Sequence, residues 1–205
     1  MDTEATSTSF GWRSQTYSAY IHLLVVKLWQ RLYYGGNDEP ERLGEAYSSI
    51  MEKWHDFWSD SPTEIAENLY LGSAKNAADA GSLSRLRITY IVNCTEDLPQ
   101  FHEDVSGGPE YNRVPLKDVP GASLFAVRDS IEFVVSKIID KLRRGERVLI
   151  HCLMGASRSV AVATLVLMKL QESTAMEAYA RVSRARRAAK INRSFMDDLR
   201  AWQFE

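Results

Sequence analysis

The spacing of apolar residues divides the chain near Pro62. Before that residue, apolar positions recur every three or four residues in two stretches, which predicts helices at 17–34 and 41–60. After it, short apolar runs alternate with longer helical patterns, and Pro62 itself stops a helix. The sequence therefore predicts a helical extension over residues 1–61 and a second unit over residues 62–205.

Strand-like and helical segments follow one another in the second unit. Strands are predicted at 68–72, 88–93, 111–116 and 147–150, and helices at 73–86, 124–142, 159–172, 174–187 and 193–203. Ser123 is the predicted cap of the helix at 124–142, and Gly145 can end it. The segment 159–172 is apolar nearly all round, which predicts a helix buried at the centre. This order of elements is typical of an α/β sandwich.

The first predicted helix, at 17–34, has a broad apolar face that His22 and Lys27 interrupt. It is too short for a membrane span, so no stable membrane insertion is expected. Three interpretations stay open. The face packs on its own domain, forms a partner or dimer contact, or lies on a membrane surface.

Composition and charge narrow the functional class. The chain has 205 residues, 45% of them hydrophobic, and a net charge of −2, so it can build a core and has no overall attraction to nucleic acid. Its two cysteines, Cys94 and Cys152, fit a reducing compartment, and no zinc-binding spacing is present. The acidic, polar start lacks the basic beginning of a signal peptide. We therefore expect a cytoplasmic protein, with the nucleus as a second location.

Basic residues cluster near the C-terminal end, where residues 181–205 hold seven bases and three acids. The cluster consists of Arg181, Arg184, Arg186, Arg187, Lys190 and Arg193. It is either a solvated face or a surface that attracts acidic phosphorylated substrates or an anionic headgroup.

The segment IHCLMGASRS, at 150–159, joins a predicted strand to the buried helix. Its backbone N–H groups gather at a helix N-terminus, where unpaired donors and the helix dipole attract anions. Gly155 lets the loop curl tightly, because glycine adopts dihedrals closed to other residues. The planar guanidinium of Arg158 can reach the same centre and bind two oxygens of a phosphate.

Cys152 lies at the base of this predicted anion site, so the same donors should lower its pKa and make it a nucleophile. Ser159 can donate a hydrogen bond to the sulfur, and His151 can orient the loop through its ring nitrogens. In-line attack on phosphorus by the sulfur would form a phosphocysteine. The leaving oxygen then needs a general acid, and Asp118 is our candidate because its Pro/Gly loop separates a strand from a helix.

The segment at 151–159 resembles the signature loop of the cysteine-based protein phosphatases, specifically of the dual-specificity branch. Other segments resemble that family's opening strand, next core strand, general-acid segment and closing helix start, at 64–73, 88–97, 111–118 and 191–199. The resemblance covers roughly residues 62–205. It implies a cysteine-phosphatase fold, in which helices flank a central mixed sheet.

The resemblance also implies a role for each matching residue. Cys152 would be the nucleophile, Arg158 the phosphate and transition-state clamp, Asp118 the acid and then the base, and Ser159 the aid to thiolate release. The phosphate would bind the backbone amides of Leu153, Met154, Gly155, Ala156, Ser157 and Arg158, with Asn192 and Phe195 bracing the region. No metal or cofactor would be needed. The implied substrates are proteins phosphorylated on tyrosine, serine or threonine.

The sequence departs from the family pattern at two places. Ser123 stands where members often carry an acidic or amide residue, and Ile191 stands where a proline is common. A serine caps a helix equally well, whereas the loss of proline can loosen the turn before Asn192.

Two other functions stay open. A phosphoinositide or RNA phosphatase could use the same fold, but lipid-directed relatives often carry lysines inside the loop, and residues 153–157 are uncharged here. A phosphoprotein-binding scaffold with vestigial activity is the other alternative, and the intact Asp118, Cys152 and Arg158 argue against it. Cys94 is either a core thiol or a redox partner of Cys152, and the distance between the two decides.

Overall fold

The computed structural model describes residues 61–204. The predicted extension over 1–61, with the contact expected at 17–34, falls outside this range except for its last residue, so its domain boundary and role stay predictions. Among residues 61–204, no helix is both long enough and apolar enough to cross a membrane. The compartment of the protein also stays a prediction.

The described part of the chain contains one mixed sheet of five strands in the order β1-β2-β5-β3-β4. The strands are β1 (Thr63–Ala66), β2 (Leu69–Gly72), β3 (Ile88–Asn93), β4 (Glu110–Arg113) and β5 (Arg147–His151). Strand β1 is antiparallel to β2, and the other neighbours are parallel. The predicted central sheet is confirmed, and the strand predicted at 111–116 is the edge strand β4.

Six α-helices accompany the sheet within residues 61–204. They are α1 (Ala74–Ala78), α2 (Ala80–Arg85), α3 (Arg128–Arg143), α4 (Arg158–Gln171), α5 (Ala175–Ala185) and α6 (Arg193–Ala201). Leu149 of β5 packs with apolar side chains of α1 and α2, whereas its neighbours Val148 and Ile150 pack with those of α3 to α6. Because successive strand residues point to opposite faces, the sheet lies between two helical layers.

Two predicted helices begin or divide differently from their sequence pattern. The helix expected at 73–86 is two helices, because Asp79 is extended and its carboxylate accepts a hydrogen bond from Ser82 N at 3.2 Å. The helix expected from residue 124 starts as a short 3-10 turn, Phe125–Val127. The predicted cap Ser123 is therefore not the cap of α3, and its hydroxyl accepts from Phe125 N at 3.2 Å at the start of the 3-10 turn.

Helix α4 lies at the centre of the fold, as its sequence pattern predicts. Every residue from Ser159 to Met168 is buried, and α4 packs against β5, α3, α5 and α6. Two polar side chains lie within this buried stretch, those of Ser159 and Thr164, and the hydroxyl of Thr164 donates to Val160 O at 2.8 Å. The helix begins at Arg158, so the core of the domain fixes the end of the loop that contains Cys152.

Three parallel strands end side by side at one edge of the sheet. His151 of β5 is in register with Gly72 of β2 and Asn93 of β3. Cys94 N donates to His151 O at 2.8 Å, which continues this pairing by one residue. Cys152 follows directly, so the loop of interest starts where parallel sheets commonly bind ligands, at the carboxyl ends of their strands.

Candidate active site

The loop of residues 152–158, called here the cysteine loop, leaves β5 and enters α4. Its sharpest bend is at Gly155, which has a φ of 68°. A Cβ atom at this position would lie 2.5 Å from Gly72 O. Both the positive φ and the close approach of β2 therefore require glycine.

The backbone carbonyls of the cysteine loop are bound from the outside. Leu153 O accepts a hydrogen bond from Ala74 N at 3.0 Å, and Ala156 O accepts one from Lys190 N at 2.7 Å. All peptide bonds of the described residues are trans, and in a trans peptide the carbonyl and the following N–H point in opposite directions. The N–H groups of Met154 and Ser157 are therefore turned toward the inside of the loop.

Arg186 binds the carbonyls of Met154 and Gly155, which lie between Leu153 and Ala156 in the loop. Its Nε donates to Gly155 O at 2.8 Å, its Nη2 donates to Met154 O at 3.2 Å, and its Nη1 donates to Thr63 Oγ1 at 3.1 Å. By the same geometry, the N–H groups of Gly155 and Ala156 point inward. Gly155 N indeed donates to the sulfur of the loop cysteine at 3.2 Å.

Arg186 corrects one expectation from the sequence, because it is 1% exposed and is neither a solvated residue nor part of a charged rim. Sequence reasoning grouped it with its basic neighbours. A signal was present, since Arg186 continues the four-residue spacing of Ala178 and Val182 on the buried face of α5. Arg187 and Arg193 are exposed and keep both interpretations open.

Cys152 is buried, with its sulfur directed at hydrogen-bond donors. Its Sγ accepts from Gly155 N and from Ser159 Oγ, each at 3.2 Å. Burial raises the pKa of the thiol, but the positive charge of Arg158 and the hydrogen bonds from Ser159 outweigh burial and hold the pKa below its usual value. The predicted combination of Cys152, Ser159 and Arg158 is therefore assembled in one place.

Asp118 reaches the same place from the segment of residues 117–124, called here the Asp118 loop. Its Oδ1 accepts a hydrogen bond from Ser157 Oγ at 2.9 Å, and its Oδ2 lies 3.6 Å from Arg158 Nε. Arg158 Nη1 lies 3.5 Å from Leu116 O, just before this loop. The side chain of Ser157 was not predicted to contribute, and it is the group that joins Asp118 to the cysteine loop.

Asn192 connects three parts of the site. Its backbone N donates to Ser157 Oγ at 3.3 Å, and its Nδ2 donates to Val119 O at 2.9 Å. Its Oδ1 accepts from Ser194 N at 3.2 Å and so caps α6. Phe195, one turn into the same helix, is fully buried.

His151 is fully buried at the end of β5. Burial lowers its pKa to about 4, so the imidazole is neutral near pH 7. Its Nδ1 lies 3.4 Å from Cys152 O, and since a carbonyl can only accept, Nδ1 carries the hydrogen of the neutral ring. The ring thus contacts the back of the cysteine loop, and a role in orienting the loop stays a prediction.

Cys94 is also fully buried and is a free thiol. Burial, and then the negative charge of Cys152, raise its pKa well above the usual value. This environment fits a core thiol that stays protonated. A redox partnership with Cys152 stays a prediction. Among residues 61–204, no group of three or more His, Cys, Asp and Glu side chains could hold a metal ion.

The fold and the loop around Cys152 define a class of proteins in which a buried thiolate lies within an anion-binding loop at the carboxyl edge of a mixed sheet. Residues 69–205 match the sequence model of one family in that class, described as "Dual specificity phosphatase, catalytic domain". The chain belongs to this family.

Individual relatives are consistent with the family. The chain is 38% identical over 139 residues to Dual specificity protein phosphatase 9 of Homo sapiens, covering 67% of this chain and 35% of the relative. It is 36% identical over 170 residues to Dual specificity protein phosphatase 4 of Homo sapiens, covering 82% of this chain and 39% of the relative. The crystal structure of human DUSP28 is similar, with a TM-score of 0.61, 30% identity and coverage of 68% of this chain and 93% of that one.

The match therefore spans a little over a third of the length of these two curated relatives.

Ser159→Ala should raise the pKa of Cys152, because it removes a hydrogen-bond donor to the charged form of the sulfur. The rate of alkylation by iodoacetamide, measured against pH, should shift to higher pH. Ser136→Ala, an exposed serine on α3, is the matched control and should leave the curve unchanged. An unshifted curve for Ser159→Ala would show that this hydroxyl does not stabilise the thiolate.

Proposed function

We propose that this chain is a protein phosphatase that hydrolyses phosphotyrosine and phosphoserine or phosphothreonine through a phosphocysteine intermediate. The observation that carries the proposal is the Cys152 sulfur, which accepts two hydrogen bonds while Arg158 and Asp118 lie beside the same loop. A lowered pKa makes the sulfur a nucleophile at neutral pH. Membership of the dual specificity phosphatase family supports the choice of reaction.

The phosphate group binds first, to the inward N–H groups of residues 154–157 and the guanidinium of Arg158. Four carbonyls held outward keep those N–H groups in place before substrate arrives, so little reorganisation is needed. Arg158 can contact two phosphate oxygens and balance the charge that spreads over them in the transition state.

The thiolate then attacks phosphorus opposite the leaving oxygen, and the sulfur–phosphorus bond forms as the phosphorus–oxygen bond breaks. Asp118, in its protonated form, donates its proton to the leaving oxygen, which departs as a neutral alcohol or phenol.

Hydrolysis of the phosphocysteine completes the cycle. The Asp118 carboxylate accepts a proton from a water molecule as the water oxygen attacks phosphorus. The sulfur leaves as a thiolate, and the hydroxyl of Ser159 stabilises it at 3.2 Å. Phosphate is released, and Asp118 is protonated again for the next turnover.

Phosphoproteins are the substrates that the loop composition favours. The loop interior, residues 153–157, carries no charged side chain that could contact the additional phosphates of an inositol headgroup. Among the contacts described above, Arg186 is the cationic side chain other than Arg158 that contacts the loop. It binds the loop carbonyls from behind and is buried, so it does not face the phosphate. A phosphoinositide or RNA phosphatase on the same fold is the alternative.

Cys152→Ser should abolish turnover of aryl phosphates, because a serine hydroxyl is far less ionised than the thiol at neutral pH. Hydrolysis by the unmodified protein should persist with a metal chelator present and should be inhibited by vanadate. Cys94→Ala is the matched control and should retain turnover, since Cys94 is a buried thiol outside the loop. Turnover by Cys152→Ser would disprove the phosphocysteine mechanism and would favour a different nucleophile.

Asp118→Asn should slow poor leaving groups most, because only they depend on protonation of the departing oxygen. We expect kcat/KM for phenyl phosphate to fall about 100-fold and that for 4-nitrophenyl phosphate to fall far less. Initial rates over a series of substituted phenyl phosphates would measure this. An equal loss for every leaving group would mean that another residue is the acid.

Because residues 153–157 carry no charged side chain, the protein should prefer phosphopeptides to substrates with additional phosphate groups. We expect kcat/KM to be at least about tenfold higher for phosphotyrosine, phosphoserine or phosphothreonine peptides than for a phosphoinositide or a 5′-phosphorylated RNA, a difference of about 1.4 kcal/mol. The comparison uses one protein preparation at one salt concentration. A phosphoinositide or RNA as the best substrate would replace the proposed substrate class, and binding of phosphopeptide without turnover would favour the scaffold alternative.

A further inference from the structure

The Asp118 loop has little internal structure of its own. Within residues 117–124, one backbone–backbone hydrogen bond is described, from Ala122 N to Val119 O at 3.1 Å. Val119 is 50% exposed at its tip. Contacts with other parts of the chain must therefore determine where the loop holds Asp118.

Helix α6 supplies those contacts at the far end of the loop through a single carboxylate oxygen. Asp198 Oδ2 accepts hydrogen bonds from Leu124 N at 2.7 Å and from Ser123 Oγ at 2.8 Å. Both are short, and bonds to an ionised acceptor are the stronger class. They fix the backbone at Leu124, whose side chain is fully buried in the core.

The same helix holds the loop on either side of that point. At its N-terminal end, the side-chain amide of Asn192 binds Val119 O at 2.9 Å. At its C-terminal end, the ring of Trp202 stacks on Phe125 with centroids 5.1 Å apart and an interplanar angle of 9°. The guanidinium of Arg128 lies over both rings. Residues 119 to 125 are thus joined to α6 and its ends at three successive positions.

We propose that α6 positions the general acid, with Asp198 as its principal positioning residue. Asp198 does not touch the reacting atoms. It fixes the end of the Asp118 loop. Asp118 therefore keeps its hydrogen bond with Ser157, in which Ser157 Oγ donates to Asp118 Oδ1 at 2.9 Å. The proposal rests on the proposed function in one respect, that Asp118 is the acid.

The variants are chosen because Asp198 Oδ2 accepts both hydrogen bonds, from Ser123 Oγ and from Leu124 N. Asp198→Ala removes the acceptor. Asp198→Asn keeps an oxygen that can accept from both donors but removes the charge, so it should preserve most of the positioning. Asp197→Ala is the matched control, because Asp197 is on the same helix and its side chain is 60% exposed. Its described contact is a surface ion pair with Arg200, at 3.4 Å.

The first measurement is hydrogen exchange of backbone amides in the full chain, followed by mass spectrometry of peptides that cover residues 114–127. Asp198→Ala should exchange faster in this segment, while peptides from the cysteine loop keep their protection. Asp197→Ala should match the unmodified protein. This readout does not depend on catalysis. Unchanged exchange in residues 114–127 would overturn the proposal whatever the activity.

The second measurement is the leaving-group dependence of kcat/KM, together with the pH dependence of Cys152 alkylation. Asp198→Ala should lose about tenfold more activity on phenyl phosphate than on 4-nitrophenyl phosphate, because misplacement of an acid forfeits part of its contribution. The alkylation curve should not move to higher pH, because displacing the Asp118 carboxylate removes a negative charge that raises the pKa of Cys152. Asp198→Asn should recover most of the loss. A uniform loss with an alkylation curve shifted to higher pH would show general damage to the site and would overturn the proposal.

The two measurements separate this inference from the proposed function. Faster exchange with unchanged leaving-group dependence in both Asp198→Ala and Asp118→Asn would mean that α6 holds the loop but Asp118 is not the acid. That outcome overturns the catalytic part of the proposal. Leaving-group dependence in Asp118→Asn without any in Asp198→Ala would confirm the acid and reject Asp198 as its positioning residue.

Discussion

The orientation of four consecutive peptide groups in the cysteine loop is the constraint on which the rest of the site depends. N–H groups that converge on one point repel one another, so they stay together only if the opposite ends of the same peptides are held. Ala74, Arg186 and Lys190 hold them by binding the carbonyls of residues 153–156. The resulting set of donors converges on one point, and one of its members binds the Cys152 sulfur.

The buried thiol shows how opposing effects are balanced in this site. Removing a sulfur anion from water is unfavourable, and burial alone would keep Cys152 protonated, as it does Cys94. The difference is that Cys152 has Arg158 and two hydrogen-bond donors beside it, of which Ser159 contributes a buried hydroxyl from the first turn of α4. Two thiols in the same core thus have pKa values shifted in opposite directions, which separates a nucleophile from a structural residue.

Sequence pattern predicted the elements that depend on local periodicity. The parallel strands, the buried α4 and the loop between them lie where their spacing indicated, and Cys152, Arg158, Ser159 and Asp118 are brought together as expected. The pattern missed strand β1 (Thr63–Ala66), and two further differences are at the ends of segments. Asp79 divides one predicted helix because its carboxylate caps the second half. Ser123 lies before a 3-10 turn and not before α3, and Asp198, 75 residues away, binds its hydroxyl and the next backbone N–H.

The chemistry of residues 151–159 follows from short-range spacing, since a thiol, a glycine and a guanidinium within one strand-loop-helix unit must face the same small volume. The groups that hold this unit and the Asp118 loop in place come from distant segments. Arg186, directly after α5, binds the carbonyls of the unit, and Asp198 of α6 binds the Asp118 loop. A charged residue on or beside a helix has the same local pattern whether it is solvated or hydrogen-bonded to the backbone of another segment. Only the packing of the helices on the sheet decides which, because that packing brings the unmatched backbone groups within hydrogen-bond distance.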